Sequence, residues 1–597
     1  MPSTSRQRLR RTLPALGLLA LITLVFWPAL SGGFVFDDYP IFAENPIIHV
    51  TGWHWQAWQQ IWAWSHINIQ RPLAMLSYAL NYALGSGTWG FKATNLAIHL
   101  LNTVLLLLLT RRLLSAGWSS CSDKDVDIQR RHTDYWALGI ATAWAIHPLQ
   151  ISAVMYVVQR MELMGFTFTL LALLAYWHVR QQQLTGQRSW PYLLLCSALT
   201  VIGYYFKETA VLVPGYALLL ELTVLRFAAD RPLLGRTWKI TYAIGCLMAL
   251  TVFVFYLLPH YATTAAYDGR DYTAWQRELT QLRVLPMYLG WCVLPLPDQL
   301  HFYYDNYVAS SGLLHPITTL LGGLLLLCLL GLAIAMRHRR PLLALGIGWF
   351  FMAHALTSSP LPLELVFEHR NYPALFGVLL AVTDLLWLAT RHLHPRLPAI
   401  LASIFILNLG FLTALRAATW SSPLQLATAL ADSNPGSMRA ALDLARRYVA
   451  MSQNDPSAPL YSLGIKELER ATKLPTSSIL PEESLLIQAA NHPGMASQPW
   501  WSSLQRKLQT RPMGPDAYHA LFGLFEASVG GNTGIDAQQL ARSYEIAIAR
   551  APSRIGLHVQ YAELAGSALH DPTLAIEQWK QALQLQKDVP GYANQLA

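Results

Sequence analysis

Long apolar runs separated by short polar connectors dominate the first two thirds of the chain. Runs long enough for a membrane helix lie at 13–30, 91–110, 135–154, 161–178, 190–206, 209–225, 240–258, 314–336, 341–357, 372–390 and 397–415. A membrane-crossing helix needs ~17–25 such residues. The first run follows RQRLRRT (6–12) and exceeds the apolar core of a signal peptide, so it reads as a retained helix. Basic residues gather after every second run: Arg111, Arg112, Lys124, Arg130 and Arg131; Arg180 and Arg188; Arg226, Arg231, Arg236 and Lys239; Arg337, Arg339 and Arg340; Arg391 and Arg396. Such connectors face the cytoplasm, which puts the N-terminus inside and residues 416–597 outside. Residues 282–297 (LRVLPMYLGWCVLPLP) are also apolar. Their three prolines and short length predict a re-entrant or interfacial segment rather than a twelfth crossing.

Beyond residue 418 the pattern becomes amphipathic. Tyr544-x2-Ala547 recurs as Trp579-x2-Ala582, 35 residues on, with Leu540 and Ala575 in the same phase and Pro552 and Pro590 near the ends. The period of ~34 residues and the alternation of large and small packing positions suit tetratricopeptide (TPR) repeats. The stretch 424–450 repeats the grammar as helix, Asn-Pro, helix. The expected fold is all-α: a polytopic bundle of about 11 transmembrane helices (1–418), then a noncytoplasmic TPR-like domain (419–597).

Composition narrows the class. Hydrophobic residues make up 53% of the 597 and charged ones 13%, about half the ~25% of soluble domains. Residues 421–597 carry 14 Lys and Arg against 15 Asp and Glu, so the net charge of +9 belongs to the apolar part. Basic membrane connectors account for it without nucleic acid. The five cysteines, Cys121, Cys196, Cys246, Cys292 and Cys328, form neither a disulfide framework nor a CxxC metal motif. Walker A, GxSxG and HExxH motifs are missing from the sequence, which argues against an ATP-driven pump or a membrane metalloprotease.

The candidate chemistry lies on the expected outer side. Asp37 and Asp38 follow the first run in FDDYP (36–40). Adjacent carboxylates repel unless a cation is near, and one can serve as a general base; Asp also favours caps and turns. Trp53, Trp55, Trp58, Trp62 and Trp64 suit an in-plane interfacial helix, which could also wall a lipid groove. Arg71 follows, and a guanidinium suits phosphate. His147, Arg160, Glu162, Lys207, Glu208, Glu364, Glu368, His369 and Arg370 gather on the same side. Charges at membrane depth mark functional cavities, although salt bridges within Lys207–Glu208 or Glu368–Arg370 would explain those pairs structurally.

The succession FDDYP (36–40), RPL (71–73), FKATNLAIHLLN (91–102), HPLQISAVMYVVQRMELM (147–164), FKETAVLVP (206–214), EHRNYPALFG (368–377) and RAATWSSPLQLATALADSNPGSMRA (416–440) resembles the transmembrane-and-TPR protein O-mannosyltransferases and their bacterial TPR-containing branch. These belong to the GT-C superfamily. The resemblance implies a glycosyltransferase that moves a sugar, with inversion, from a polyprenyl-phosphate-linked donor to a protein hydroxyl on the noncytoplasmic face. It implies an acidic residue of the first outside loop as base, Asp38 or Asp37. Arg160, Lys207, Arg370 and Arg71 would meet the donor phosphate, in that order. His147, Glu208, Glu368 and His369 would orient sugar or acceptor. Some members of the superfamily need a divalent cation, so Mg or Mn on Asp37 and Asp38 stays open. The TPR-like domain would present the acceptor protein, and a bacterial inner membrane with that domain in the periplasm is the expected setting (an endoplasmic reticulum membrane in a eukaryote). Gln159 stands where the family often has a small residue, which leaves mannose open as the sugar. An oligosaccharide transferase or polymerase using a lipid-diphosphate donor, and a non-catalytic TPR scaffold for envelope assembly, are the alternatives.

Overall fold

The structure, a computed structural model, describes residues 3–119, 126–267, 269–390, 396–530 and 534–587. Cys121, Lys124, Arg391 and Pro590 lie outside them. All regular structure among the described residues is helical. The protein is an integral membrane protein. Eight described helices are long and apolar enough to cross a bilayer: Leu13–Ser31, Thr88–Trp118, Val157–Leu184, Glu208–Leu225, Pro232–Tyr261, Thr318–Met336, Glu368–Thr390 and Ala399–Thr419. Trp190–Phe206 and Pro341–His354 are shorter apolar helices at two more of the expected runs.

The run at 135–154 differs from a plain span. Its helix covers Val126–Ala145 and stops, and a short helix Gln150–Val154 follows. Pro148 cannot continue a helix, and the residue before a proline is pushed away from helical geometry. Residues 282–297 also differ from a short segment: most of them lie in a 20-residue helix, Ala274–Val293, with Pro286 inside it. Arg277, Glu278 and Arg283 keep that helix outside the membrane-crossing set.

The chain forms two compact units. The first comprises Met1–Leu257, Glu278–Phe302 and Ser310–Leu426. Small residues bring its helices together: a Cβ on Gly346 would meet the backbone oxygen of Gly377 at 2.4 Å, and the reverse approach is 2.5 Å. Its most deeply buried ion pair is satisfied internally, as hydrocarbon requires. Arg180 and Glu221, 1% and 0% exposed, meet at 2.6 Å. Tyr176 donates to the same Glu221 oxygen, and the Phe227 amide to the other.

The second unit comprises Leu258–Arg277, Tyr303–Ala309 and Ala427–Ala597. Its helices include Met438–Met451, Pro459–Thr472, Leu480–Asn491, Gln498–Thr510, Pro515–Val529, Ala537–Arg550, Ile555–Ser567 and Pro572–Lys587, a TPR-like array. Leu540, Tyr544, Ala547 and Ala582 are buried, as the repeat phase predicts, whereas Trp579 is 37% exposed. Ser437 caps Met438–Met451 by accepting from the Ala440 amide. Asp305 holds that cap from the 303–309 excursion, accepting from the Ser437 hydroxyl and the Arg439 amide.

Removing one partner of a buried ion pair strands the other charge, at about 3–5 kcal/mol. Arg180→Ala is therefore expected to lower the thermal midpoint of the detergent-purified protein sharply. Arg180→Met with Glu221→Leu is expected to recover most of that loss.

Candidate functional site

Asp37 and Asp38 stand just after the first membrane helix, and the backbone there is forced. Phe36, immediately before them, has φ 47°, a left-handed conformation that costs a bulky residue of order 1–3 kcal/mol. The turn sends the two carboxylates to different places. Asp38 is fully buried. Its Oδ1 accepts from the Val158 amide at 2.7 Å, and its Oδ2 from Val35 at 3.0 Å and Val157 at 3.4 Å. Burial pushes its pKa up to about 7, against the pull of these amides and of the Lys92 ammonium. Asp37 is half-buried, and its amide donates to the Tyr156 hydroxyl at 3.2 Å.

Arg160 starts the helix Arg160–Leu184 and is 1% exposed. It donates to the Asn95 side chain at 2.8 Å and to the carbonyls of Ser77 and Phe91 at 2.9 and 3.0 Å. Its guanidinium lies over the Tyr78 and Phe91 rings. A guanidinium so engaged is a strut of the bundle.

The remaining cations converge on His369. Lys207, Arg370 and Arg71 all act electrostatically on its ring. The Tyr156 ring lies 6.3 Å from it and so links it to Asp37. The ion pairs are not those between sequence neighbours. Lys207 pairs with Glu162 at 3.1 Å, not with Glu208. Glu208 takes Arg71 in a two-pronged contact of 2.9 and 2.8 Å. Glu368 pairs with Arg416 at 2.6 Å, not with Arg370. Arg370, 7% exposed, makes no ion pair among the described residues. It donates to the Leu365 carbonyl at 3.2 Å, with the Phe367 ring 5.2 Å away. Three cations thus meet two paired carboxylates, and one positive charge is left over.

His147 is buried and lies toward Arg416. Its Nδ1 accepts from the Leu149 amide at 3.3 Å. Arg416 also donates to the Pro148 carbonyl at 3.0 Å, so it ties together the break at His147-Pro148 and Glu368. Sequence reasoning did not single out Arg416 or Tyr156. Both lie inside the quoted motifs, but neither is a charge standing apart at a span end. No three His, Cys, Asp or Glu among the described residues are placed to hold a metal. Asp38 is committed to amides, so the aspartate pair does not form a cation seat, and no step below is routed through a metal.

No family model and no solved structure matches the chain. Among curated proteins it is 29% identical over 283 residues to the protein O-mannosyl-transferase Tmtc2 of Drosophila melanogaster, covering 45% of this chain and 28% of that protein. Against the protein O-mannosyl-transferase TMTC3 of Mus musculus it is 27% identical over 214 residues, covering 35% and 21%. Against tmtc2 of Xenopus laevis it is 24% identical over 304 residues, covering 47% and 34%. The chain is a relative of the transmembrane-and-TPR O-mannosyltransferases. The matched stretch spans about a fifth to a third of their length. The all-helical membrane unit and TPR-like unit agree with that kinship.

The raised pKa of Asp38 has a definite sign. The folded form holds the proton more tightly than the unfolded chain, whose ordinary value is 3.8. The stabilisation is complete below that value and is lost as pH rises through about 7. Asp38→Asn does not titrate. The gap in thermal midpoint between wild type and Asp38→Asn is expected to narrow between about pH 5 and about pH 8. A gap that widens over this range contradicts the assignment.

Proposed function

We propose that the protein is an inverting membrane glycosyltransferase of GT-C type. It moves a sugar from a polyprenyl-phosphate-linked donor to a hydroxyl of an acceptor protein on the noncytoplasmic face. The observation that carries this reading is the buried, unpaired guanidinium of Arg370 among Lys207, Arg71 and His369. An uncompensated buried cation is costly and calls for an anionic partner. The names of the relatives favour sugar transfer to protein.

The step balances on this chain's residues. The acceptor oxygen bonds to the anomeric carbon from the face opposite the phosphate. The bond from that carbon to the phosphate oxygen breaks and leaves a lipid phosphate. The hydroxyl proton passes to a carboxylate within hydrogen-bond reach. We assign that carboxylate to Asp37, because Asp38 is enclosed and holds three amides. Charge developing on the leaving phosphate meets Arg370 first, then Lys207 and Arg71, whose carboxylate partners temper them. Arg160 and Asp38 then act as positioning residues. His369 and Glu208 stand beside these cations to orient sugar or acceptor. Glu368 and His147 act through Arg416. The TPR-like unit would present the acceptor. The setting we favour is a bacterial inner membrane, with that unit in the periplasm.

The test is transfer of radiolabelled sugar from polyprenyl-phosphate donors to envelope protein by the full chain in nanodiscs. Loss of a general base typically lowers the rate ~10²–10⁴-fold. Asp37→Asn is expected to fall by that order at unchanged donor affinity, and Arg370→Gln to raise the donor KM at least tenfold. Full activity in both variants overturns the reading.

A further inference from the structure

His354 ends the helix Pro341–His354 and is 1% exposed, yet neither ring nitrogen meets a hydrogen-bond partner. Buried polar groups are paired in the great majority of cases. An orphaned imidazole, with one donor and one acceptor both unused, requires a reason. Its ring is fixed by stacking on Tyr288, centroids 5.2 Å apart and planes at 30°. Tyr288 is held in turn by the Phe367 amide, which donates to its hydroxyl at 2.8 Å. The charge nearest in effect is that of Arg370, and the Asn371 side chain is near enough to act on the ring as a hydrogen-bonding group, without the geometry of a full hydrogen bond. A buried imidazole without a well-formed hydrogen bond and an unpaired guanidinium thus stand at the two ends of the non-helical stretch 355–367, within electrostatic reach of each other.

We propose that His354 is a ligand-binding residue that recognises the glycosyl phosphodiester as a unit. Its N–H donates to a phosphate oxygen beside Arg370, and its bare nitrogen accepts from a hydroxyl of the attached sugar. A neutral imidazole offers one donor and one acceptor, and a sugar joined to a phosphate offers the complementary pair. A plain lipid phosphate at the same place satisfies only the donor.

The inference rests on the donor class proposed above. It is tested by binding to the full chain in nanodiscs, with a short polyprenyl phosphate and its mannosyl and glucosyl phosphodiesters as probes. Wild type is expected to bind a glycosyl diester more tightly than the plain phosphate. Arg370→Gln is expected to weaken both. His354→Phe keeps the stacking ring; it is expected to weaken the glycosyl diester at least tenfold, to the level of the plain phosphate, which it binds as wild type does. His354→Gln, with a donor and an acceptor, is expected to recover most of the loss. A His354→Phe protein that keeps wild-type affinity for the diester, or that weakens all three lipids equally with a lowered thermal midpoint, overturns the role of His354 while Arg370 and the donor class stand. Wild type that prefers neither glycosyl diester over the plain phosphate overturns the inference as well. Wild type that binds none of the three lipids overturns the donor class and this inference together.

Discussion

The carboxylate of Asp38 captures the amides of Val35, Val157 and Val158, and the geometry around the site follows from that capture. The chain breaks its helical pattern between Val154 and Arg160, where backbone groups lose their intrahelical partners. Unpaired N–H and C=O groups are costly when buried and more so near hydrocarbon. Here several of them are met from elsewhere in the chain. Asp38 takes the amides of Val157 and Val158. The Tyr78 hydroxyl donates to the Val158 carbonyl at 2.8 Å. The Asn95 amide donates to the carbonyls of Val154 and Val157 at 3.1 and 3.2 Å. The other end of Asn95 accepts from Arg160, so the guanidinium locks the residue that locks the turn.

That turn places Tyr156. Its ring packs on Phe302 at 5.1 Å and approaches His369, while its hydroxyl meets the Asp37 amide. Asp38 therefore acts on Asp37 through its neighbour's fixed backbone. The strained Phe36 turns the first carboxylate toward Tyr156 as the second goes into the core. A second strained residue, Gln70 with φ 59°, precedes Arg71 in the same way. Left-handed backbone at non-glycine residues is costly and clusters where a side chain must be aimed. Here it immediately precedes two of the groups that the sequence singled out.

The membrane helices were legible because apolar run length and basic connectors are one-dimensional signals. The two places where helix and run disagree, at Pro148 and across Ala274–Val293, are places where local chemistry overrides hydropathy. Within the site, the convergence of Lys207, Arg370, Arg71 and His369 could be inferred from topology, since span ends on one side must be neighbours. Pairing could not. Glu162 lies two residues from Arg160, within the first turn of the same helix, but its partner is Lys207, outside that helix. Glu368 lies two residues from Arg370 and takes Arg416 from a helix that follows much later. Burial separated Asp37 from Asp38, and burial is decided by tertiary packing that adjacent identical residues do not reveal. His354 carried no sequence signal at all: a histidine at the end of an apolar helix is ordinary until its unspent nitrogens are seen.

The charge balance bears on the choice between a lipid-monophosphate and a lipid-diphosphate donor. A sugar phosphodiester carries one negative charge, and a diphosphate carries more. Glu162 and Glu208 hold Lys207 and Arg71 in close pairs, which leaves one uncompensated positive group, Arg370. Nearby His354 and His369 add hydrogen-bonding capacity to that single charge. Asp37, reached through Tyr156, lies on the side assigned to the acceptor. A diphosphate would have to pull a second cation from its carboxylate, either Lys207 from the buried Glu162 or Arg71 from the partly exposed Glu208, and break an existing ion pair. One net charge and unused hydrogen-bonding groups fit a single phosphate bearing a sugar better than they fit a diphosphate. The same balance explains how so many charges are tolerated in an apolar bundle: every one but Arg370 in this cluster already has a partner or a route to one.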